Sequence, residues 1–265
     1  MSLIDKKFKP NQGTLAIGTV PGYPDMETSF EIVKAIVSGG ADILEMSSSF
    51  SDPIADGPTL QQAHAQILKH GVTKAQVFNF YKKIKKNYPE IPIFVIEYSN
   101  IVYTNGIDNY YKKLKEGGVD LLLIPDVPLE ELKPYSAAAK TYGIGQSYIA
   151  APTTDNERLK KIIPNVNGFI YVATVTGITG ARKNVEDETK KLLRRIKTQT
   201  KIPLVAGFGI SKPEHVKTAL KSGADGVVIC SQIINIINKN LKNKKKMLSE
   251  VEGFVKEMKK ACSHY

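Results

Sequence analysis

Short apolar or β-branched runs alternate along the chain with longer stretches in which apolar residues recur every three or four positions. The runs are LAIGTV (15–20), DILEMSS (42–48), IPIFVIEY (91–98), LLLIPDV (121–127), SYIAA (147–151), GFIYVAT (168–174), PLVAGFG (203–209) and GVVICS (226–231). A run that is apolar at nearly every position has both faces covered, as in a parallel sheet, whereas a half-exposed strand would alternate. Between the runs lie METSFEIVKAIVSGG, KAQVFNFYKKIKK, NYYKKLKEGG, LEELKPYSAAAKTYG, ERLKKII, ETKKLLRRIK and EHVKTALKSG, each with the stripe of a helix packed along one side.

Punctuation agrees with this reading. Asp25 or Thr28 can cap the first helix, Ser211-Lys212-Pro213-Glu214 can start the seventh, and glycines follow several helices. Eight β-α units within 265 residues predict a (β/α)8 TIM barrel rather than a doubly wound open sheet. No Pro/Gly/Ser-rich linker or shift of composition divides the chain, so residues 1–265 are read as a single domain with a short N-terminal helix.

Composition narrows the class. With 42% hydrophobic and 24% charged residues the chain is ordinary for a soluble protein, and no window approaches the roughly 20 apolar residues of a membrane helix. The N-terminus, MSLIDKKFKPNQG, lacks the apolar core of a signal peptide. Cys230 and Cys262 offer neither a disulfide framework nor metal-ligand spacing. A cytoplasmic protein is expected, with no metal and no membrane association. The net charge of +11 raises the question of nucleic acid, but the lysines are spread through the helical stretches. The one dense cluster, between Lys242 and Lys246, has no interleaved aromatic residue on which a base could stack, so no nucleic-acid partner is expected.

A barrel carries its chemistry at the C-terminal ends of its strands. Alternation along the second strand puts Ile43, Glu45 and Ser47 on one face; if that face points inward, Glu45 lies at the barrel mouth. A carboxyl beside apolar residues loses water and holds its proton toward neutrality, as a general acid must. Asp56, in a Pro/Asp/Gly turn, is expected to stay solvated and ionised, so the two acids form an acid and charge-stabiliser pair. The competing reading makes Glu45 a structural acid paired with a lysine or arginine, with Asp52 and Asp56 shaping a turn. Later in the chain, TGITG (176–180), AGFGIS (206–211) and ICSQII (229–234) follow strands six, seven and eight, where barrels bind phosphate through loop amides and a helix N-terminus.

FSDPIADGPTLQ (50–61) preceded by Glu45, together with IPDVPLEE (124–131), NGFIYVATVTGITG (167–180) and GFGIS (207–211), resembles the alpha subunit of tryptophan synthase over essentially the whole chain. The resemblance implies a TIM-barrel lyase of tryptophan biosynthesis that splits indole-3-glycerol phosphate into indole and glyceraldehyde 3-phosphate. It also implies an α2β2 complex with a beta subunit; this chain would need no cofactor, and the partner would carry pyridoxal phosphate. By the same resemblance Glu45 transfers protons, Asp56 holds the indole N–H, Tyr171 positions Glu45 or the substrate, and Thr179 meets the aspartate when the site closes. Phosphate falls to Gly180, Gly209, Cys230 and Ser231, and the indole pocket to Ile96, Leu123, Ile149, Phe208 and Val228. A stand-alone indole-releasing lyase and a weakly active regulatory subunit that activates a beta partner are the alternatives.

Four departures stand out, one of them Val175 in a loop where the family commonly has a polar or charged residue. Ser47-Ser48-Ser49 replaces the family's usual Gly-(Val/Ile)-Pro, Cys230 replaces a glycine, and Gly18 stands where an aromatic residue often lines the pocket. Ser49 and Asp52 fall in the loop that meets the beta subunit in the family.

Overall fold

The apolar runs form parallel strands β1 (Thr14–Thr19), β2 (Ile43–Ser47), β3 (Ile93–Ile96), β4 (Leu121–Leu123), β5 (Gly145–Ala150), β6 (Ile170–Ala173), β7 (Leu204–Gly207) and β8 (Gly226–Ile229). Each pairs with the next and β8 returns to β1, closing the barrel. This computed structural model describes residues 2–173, 182–207 and 209–263, except for the side chains of 182–188. The helices in chain order are α1 (Met26–Ser38), α2 (Pro58–Lys69), α3 (Lys74–Asn87), α4 (Ser99–Thr104), α5 (Ile107–Gly117), α6 (Lys133–Tyr142), α7 (Asn156–Ile162), α8 (Arg182–Lys197), α9 (Pro213–Lys221), α10 (Ser231–Lys239) and α11 (Lys244–Ser263).

Two apolar layers hold the barrel. Ala16, Ile43, Phe94, Leu121, Leu123, Phe169, Tyr171, Val205 and Val228 point inward and fill the interior. Leu44, Met46, Ile93, Val95, Ile170 and Val172 belong to the larger layer between strands and helices. Each fully buried Ile, Leu or Val contributes about 1.5–3 kcal/mol, so a one-residue register slip that exchanged the two faces would forfeit both layers. Ile43 is on the inner face, and Glu45 is therefore inward too, opposite Gly18 on β1 and Phe94 on β3.

Local chemistry explains most element ends. The Asp25 side chain accepts from the Thr28 N–H at 2.9 Å and caps α1. Thr73 and Gln76 cap α3 reciprocally. Gly118 and Gly143 end α5 and α6 in the left-handed conformation that glycine adopts without strain. Ahead of β1 lies a short 3-10 helix (Asp5–Lys7), and Ile4 beside it is buried against the barrel interior. Helix α9 starts within Ser211-Lys212-Pro213-Glu214 as expected, with Lys212 as its N-cap and Pro213 in its first turn. Helix α2 is absent from the sequence reading: its stripe of Leu60, Ala63, His64 and Ile67 is short and follows directly on a turn motif that drew the assignment.

One repeat ties the bottom of the barrel. Asp42, Asp120 and Asp225 precede β2, β4 and β8, and each carboxylate accepts from the backbone N–H of Leu15, Ile93 or Leu204 at 2.7–2.9 Å. Each also pairs with a lysine: Lys259, Lys85 and Lys197 respectively. These acids sit at the strand starts, the end of a barrel associated with stability, whereas Glu45 lies toward the opposite mouth.

Candidate active site

The C-terminal ends of the strands surround a cavity of about 480 Å³. Its lining brings together Glu45, Asp56, Tyr171, Ile96, Leu123, Ile149, Val228, Gly209, Cys230 and Ser231. Val175, Thr179, Gly180 and Phe208 lie outside the described residues. Among the described residues, no group of three or more His, Cys, Asp or Glu side chains is placed to hold a metal ion.

Glu45 is the most confined of the polar groups. It is only 3% exposed, and its Oε2 is buried without a hydrogen-bond partner among the described residues. Burial, and then the negative charge of Asp56, pushes its carboxyl from an ordinary 4.5 up to about 8. No lysine or arginine among the described residues meets Glu45, so the reading of it as a structural acid finds no partner there. A carboxylic acid that keeps its proton at neutrality can donate that proton to a carbon or oxygen brought into the cavity. Tyr171 on β6 lies close by: burial pushes its hydroxyl up, and the Glu45 charge adds to that push. Gly207 is required beside it, since a Cβ at that position would collide with the Tyr171 phenol.

Asp56 is partly exposed: 15% of its side chain meets solvent, and protein groups hold the rest. The Tyr98 hydroxyl donates to Asp56 Oδ2 at 2.8 Å and itself accepts from the Ala55 N–H at 3.0 Å. Gln61 Nε2 donates to the Asp56 carbonyl at 2.8 Å, and His64 Nε2 lies 3.5 Å from Oδ2. The carboxylate also immediately precedes Gly57, the N-cap of α2, where the helix dipole favours negative charge. Tyr98 and His64 were missed at the sequence level. Tyr98 ends the run IPIFVIEY, and a polar group just beyond a barrel strand is a usable signal; His64 is on the overlooked α2, so nothing pointed to it.

On the same cavity wall as Glu45, α10 begins with Ser231 after Cys230, whose backbone (φ −121°, ψ −60°) is open to a residue with a side chain. Gly209 has φ +75°, where glycine is favoured, and Ser211 follows it. The amides of a helix start beside a loop glycine suit an anion such as phosphate.

The departures other than Val175 find physical partners. A Cβ on Gly18 would come within 2.6 Å of Cys230 Cβ, 2.7 Å of its Sγ and 2.7 Å of Glu45 Oε1, so the Cys230 side chain fills the room that the missing side chain at 18 leaves. The serine run meets a polar wall behind the barrel. Ser48 Oγ is 3.2 Å from the Tyr81 hydroxyl, and Lys74 Nζ donates to the Ser49 carbonyl at 3.3 Å and to the fully buried Glu97 at 3.2 Å. Tyr110 completes that wall by donating to Glu97 at 2.6 Å. Asp52 is exposed and bonded to Ser51, consistent with a turn residue.

The family model for the tryptophan synthase alpha chain matches residues 7–263. The chain belongs to the tryptophan synthase alpha chain family. It is 43% identical over 263 residues to the alpha chain of Methanoregula boonei, covering 99% of each chain, and 42% identical over 253 residues to that of Francisella tularensis, covering 96% of this chain and 94% of the relative. The crystal structure of tryptophan synthase subunit alpha from Legionella pneumophila superposes with a TM-score of 0.91 at 30% identity, covering 100% of both chains. Family membership places the chain in tryptophan biosynthesis as a lyase subunit with the TIM-barrel fold. It does not favour a stand-alone lyase or a weakly active regulatory subunit. No described helix is long and apolar enough to cross a membrane.

Proposed function

We propose that this chain cleaves indole-3-glycerol phosphate to indole and glyceraldehyde 3-phosphate by a retro-aldol reaction. The observation that carries the proposal is the pairing, in one cavity, of a carboxyl held protonated by burial with a second carboxylate gripped by Tyr98. Neutral Glu45 delivers its proton to indole C3, and the ring becomes a cationic indolenine. Asp56 accepts the indole N–H, and its negative charge stabilises that cation; groups of this kind are commonly worth about 3 kcal/mol in a transition state. The Glu45 carboxylate then takes the proton of the glycerol hydroxyl adjoining the ring. The carbon–carbon bond breaks, its electrons return to the indole nitrogen, and Glu45 ends protonated as it began. Ile96, Leu123, Ile149 and Val228 would flank the indole, Tyr171 would position Glu45, and the loop amides around Gly209, Cys230 and Ser231 would hold the phosphate. Thr179, Gly180 and Phe208 keep the roles the family resemblance gives them.

The reaction so written needs no cofactor. A beta subunit carrying pyridoxal phosphate is the proposed partner in an α2β2 complex, and the loop between Ser49 and Asp56 is its proposed contact. The 78% exposure of Ile54, an apolar side chain in that loop, supports a covering surface. A cytoplasmic location accords with this role. Incubating the chain with indole-3-glycerol phosphate and measuring both products tests the reaction: equimolar indole and glyceraldehyde 3-phosphate are expected, and unchanged substrate would reject it.

A further inference from the structure

The two acids reach the cavity from different elements, Glu45 from β2 and Asp56 from the turn before α2. His64 lies between those elements. Its ring is 0% exposed, and Nε2 is 3.5 Å from Asp56 Oδ2 and 3.5 Å from Ser47 Oγ. Ser47 shares the strand and the inward face of Glu45. On the other side of the ring, Nδ1 is buried with no hydrogen-bond partner among the described residues. The imidazole therefore has one polar outlet, aimed between the strand and the turn. A proton on Nε2 gives a donor facing the carboxylate and leaves Nδ1 as a bare lone pair; a proton on both nitrogens would bury a donor facing nothing.

We propose that His64 is a positioning residue that fixes Asp56 against β2, and so sets its distance from Glu45, by seating its Nε2 edge against both Asp56 Oδ2 and Ser47 Oγ. Tyr98 holds the same carboxylate oxygen, and no described residue donates to Oδ1. Oδ1 is then the oxygen left for the indole N–H. The inference rests on the lyase reading for its consequence, although the geometry of the link does not depend on it.

The test is a double-mutant cycle on the full chain, read by calorimetric binding of a non-cleavable indole-3-alkyl phosphate and by steady-state indole release. His64→Leu is expected to weaken the analogue and lower kcat by roughly tenfold, while affinity for glycerol phosphate, which meets only the anion end, stays unchanged. His64→Gln, which keeps an N–H donor, recovers most of the loss, and Ser47→Ala produces a smaller loss of the same kind. Introduced into Asp56→Asn, His64→Leu adds less than about twofold, because it acts through Asp56. An equal loss in both backgrounds, no rescue by glutamine, or no loss at all overturns the proposal. If the leucine variant does not fold, the glutamine and Ser47 variants carry the same cycle. A wild-type chain that binds the analogue and releases no indole refutes the lyase reading alone, since the binding cycle still reads His64.

Discussion

Replacing Glu45 with glutamine should make the protein more stable in alkali while abolishing its chemistry. The Glu45 carboxyl is pushed from an ordinary 4.5 to about 8, chiefly by burial and then by Asp56. In the folded state it stays protonated through a pH interval in which the unfolded chain has already ionised it. Folding in that interval therefore takes up a proton, and the stability this group contributes is complete below about pH 4.5 and lost as pH rises through about 8. Each pH unit removes about 1.4 kcal/mol, so the whole interval costs on the order of 5 kcal/mol. Water entering at the cavity mouth shields the charge and reduces that ceiling, leaving an expected loss above about 2 kcal/mol. Glu45→Gln keeps the shape and removes the titration, so its own stability should lack this fall. Urea unfolding at half-unit steps from pH 5 to 9 measures both profiles: they should lie within about 1 kcal/mol at pH 5, diverge in favour of the variant as pH rises, and run parallel again above about pH 8. Profiles parallel over the whole range would refute the assignment of a buried, proton-holding carboxyl to residue 45.

Two further outcomes separate the stability end of the barrel from the chemical end and test the paired departures at the pocket. Asp120→Ala removes the acceptor for the Ile93 N–H and the partner of Lys85, so unfolding experiments should show a loss of about 1–3 kcal/mol while kcat and KM for indole release stay at the wild-type level. Gly18→Phe should cost most of the activity, because a side chain there meets Cys230 and Glu45, and adding Cys230→Gly should restore part of it; kinetics of the two single variants and the double give the coupling directly.

The eight strands were legible because a sheet covered on both sides writes itself as uninterrupted apolar runs, and β2 could be oriented because Glu45 shares parity with Ile43. The turn chemistry of SDPIADGP, in contrast, concealed α2, whose apolar stripe is brief, and with it the buried His64. Asp56 keeps part of the exposure its Pro/Gly turn led one to expect; the hydrogen bond from Tyr98, more than forty positions away, is what no local pattern reports. The departure at Ser48 and Ser49 had no visible partner in the sequence for the same reason: Lys74 and Tyr81, which meet them, and Glu97 and Tyr110 behind come from other elements. The aspartates of GGADI, GGVDL and SGADG form a repeat visible in the sequence, and only the barrel shows that all three bind the start of a neighbouring strand.

The most direct test of the central claim is indole release from indole-3-glycerol phosphate by the wild-type chain and by Glu45→Gln, each alone and mixed with a tryptophan synthase beta subunit. Release by the wild type, increased by the beta subunit and absent from the variant in both settings, is the predicted result. Release by Glu45→Gln at close to the wild-type rate, or none from the wild type in either setting, would contradict it.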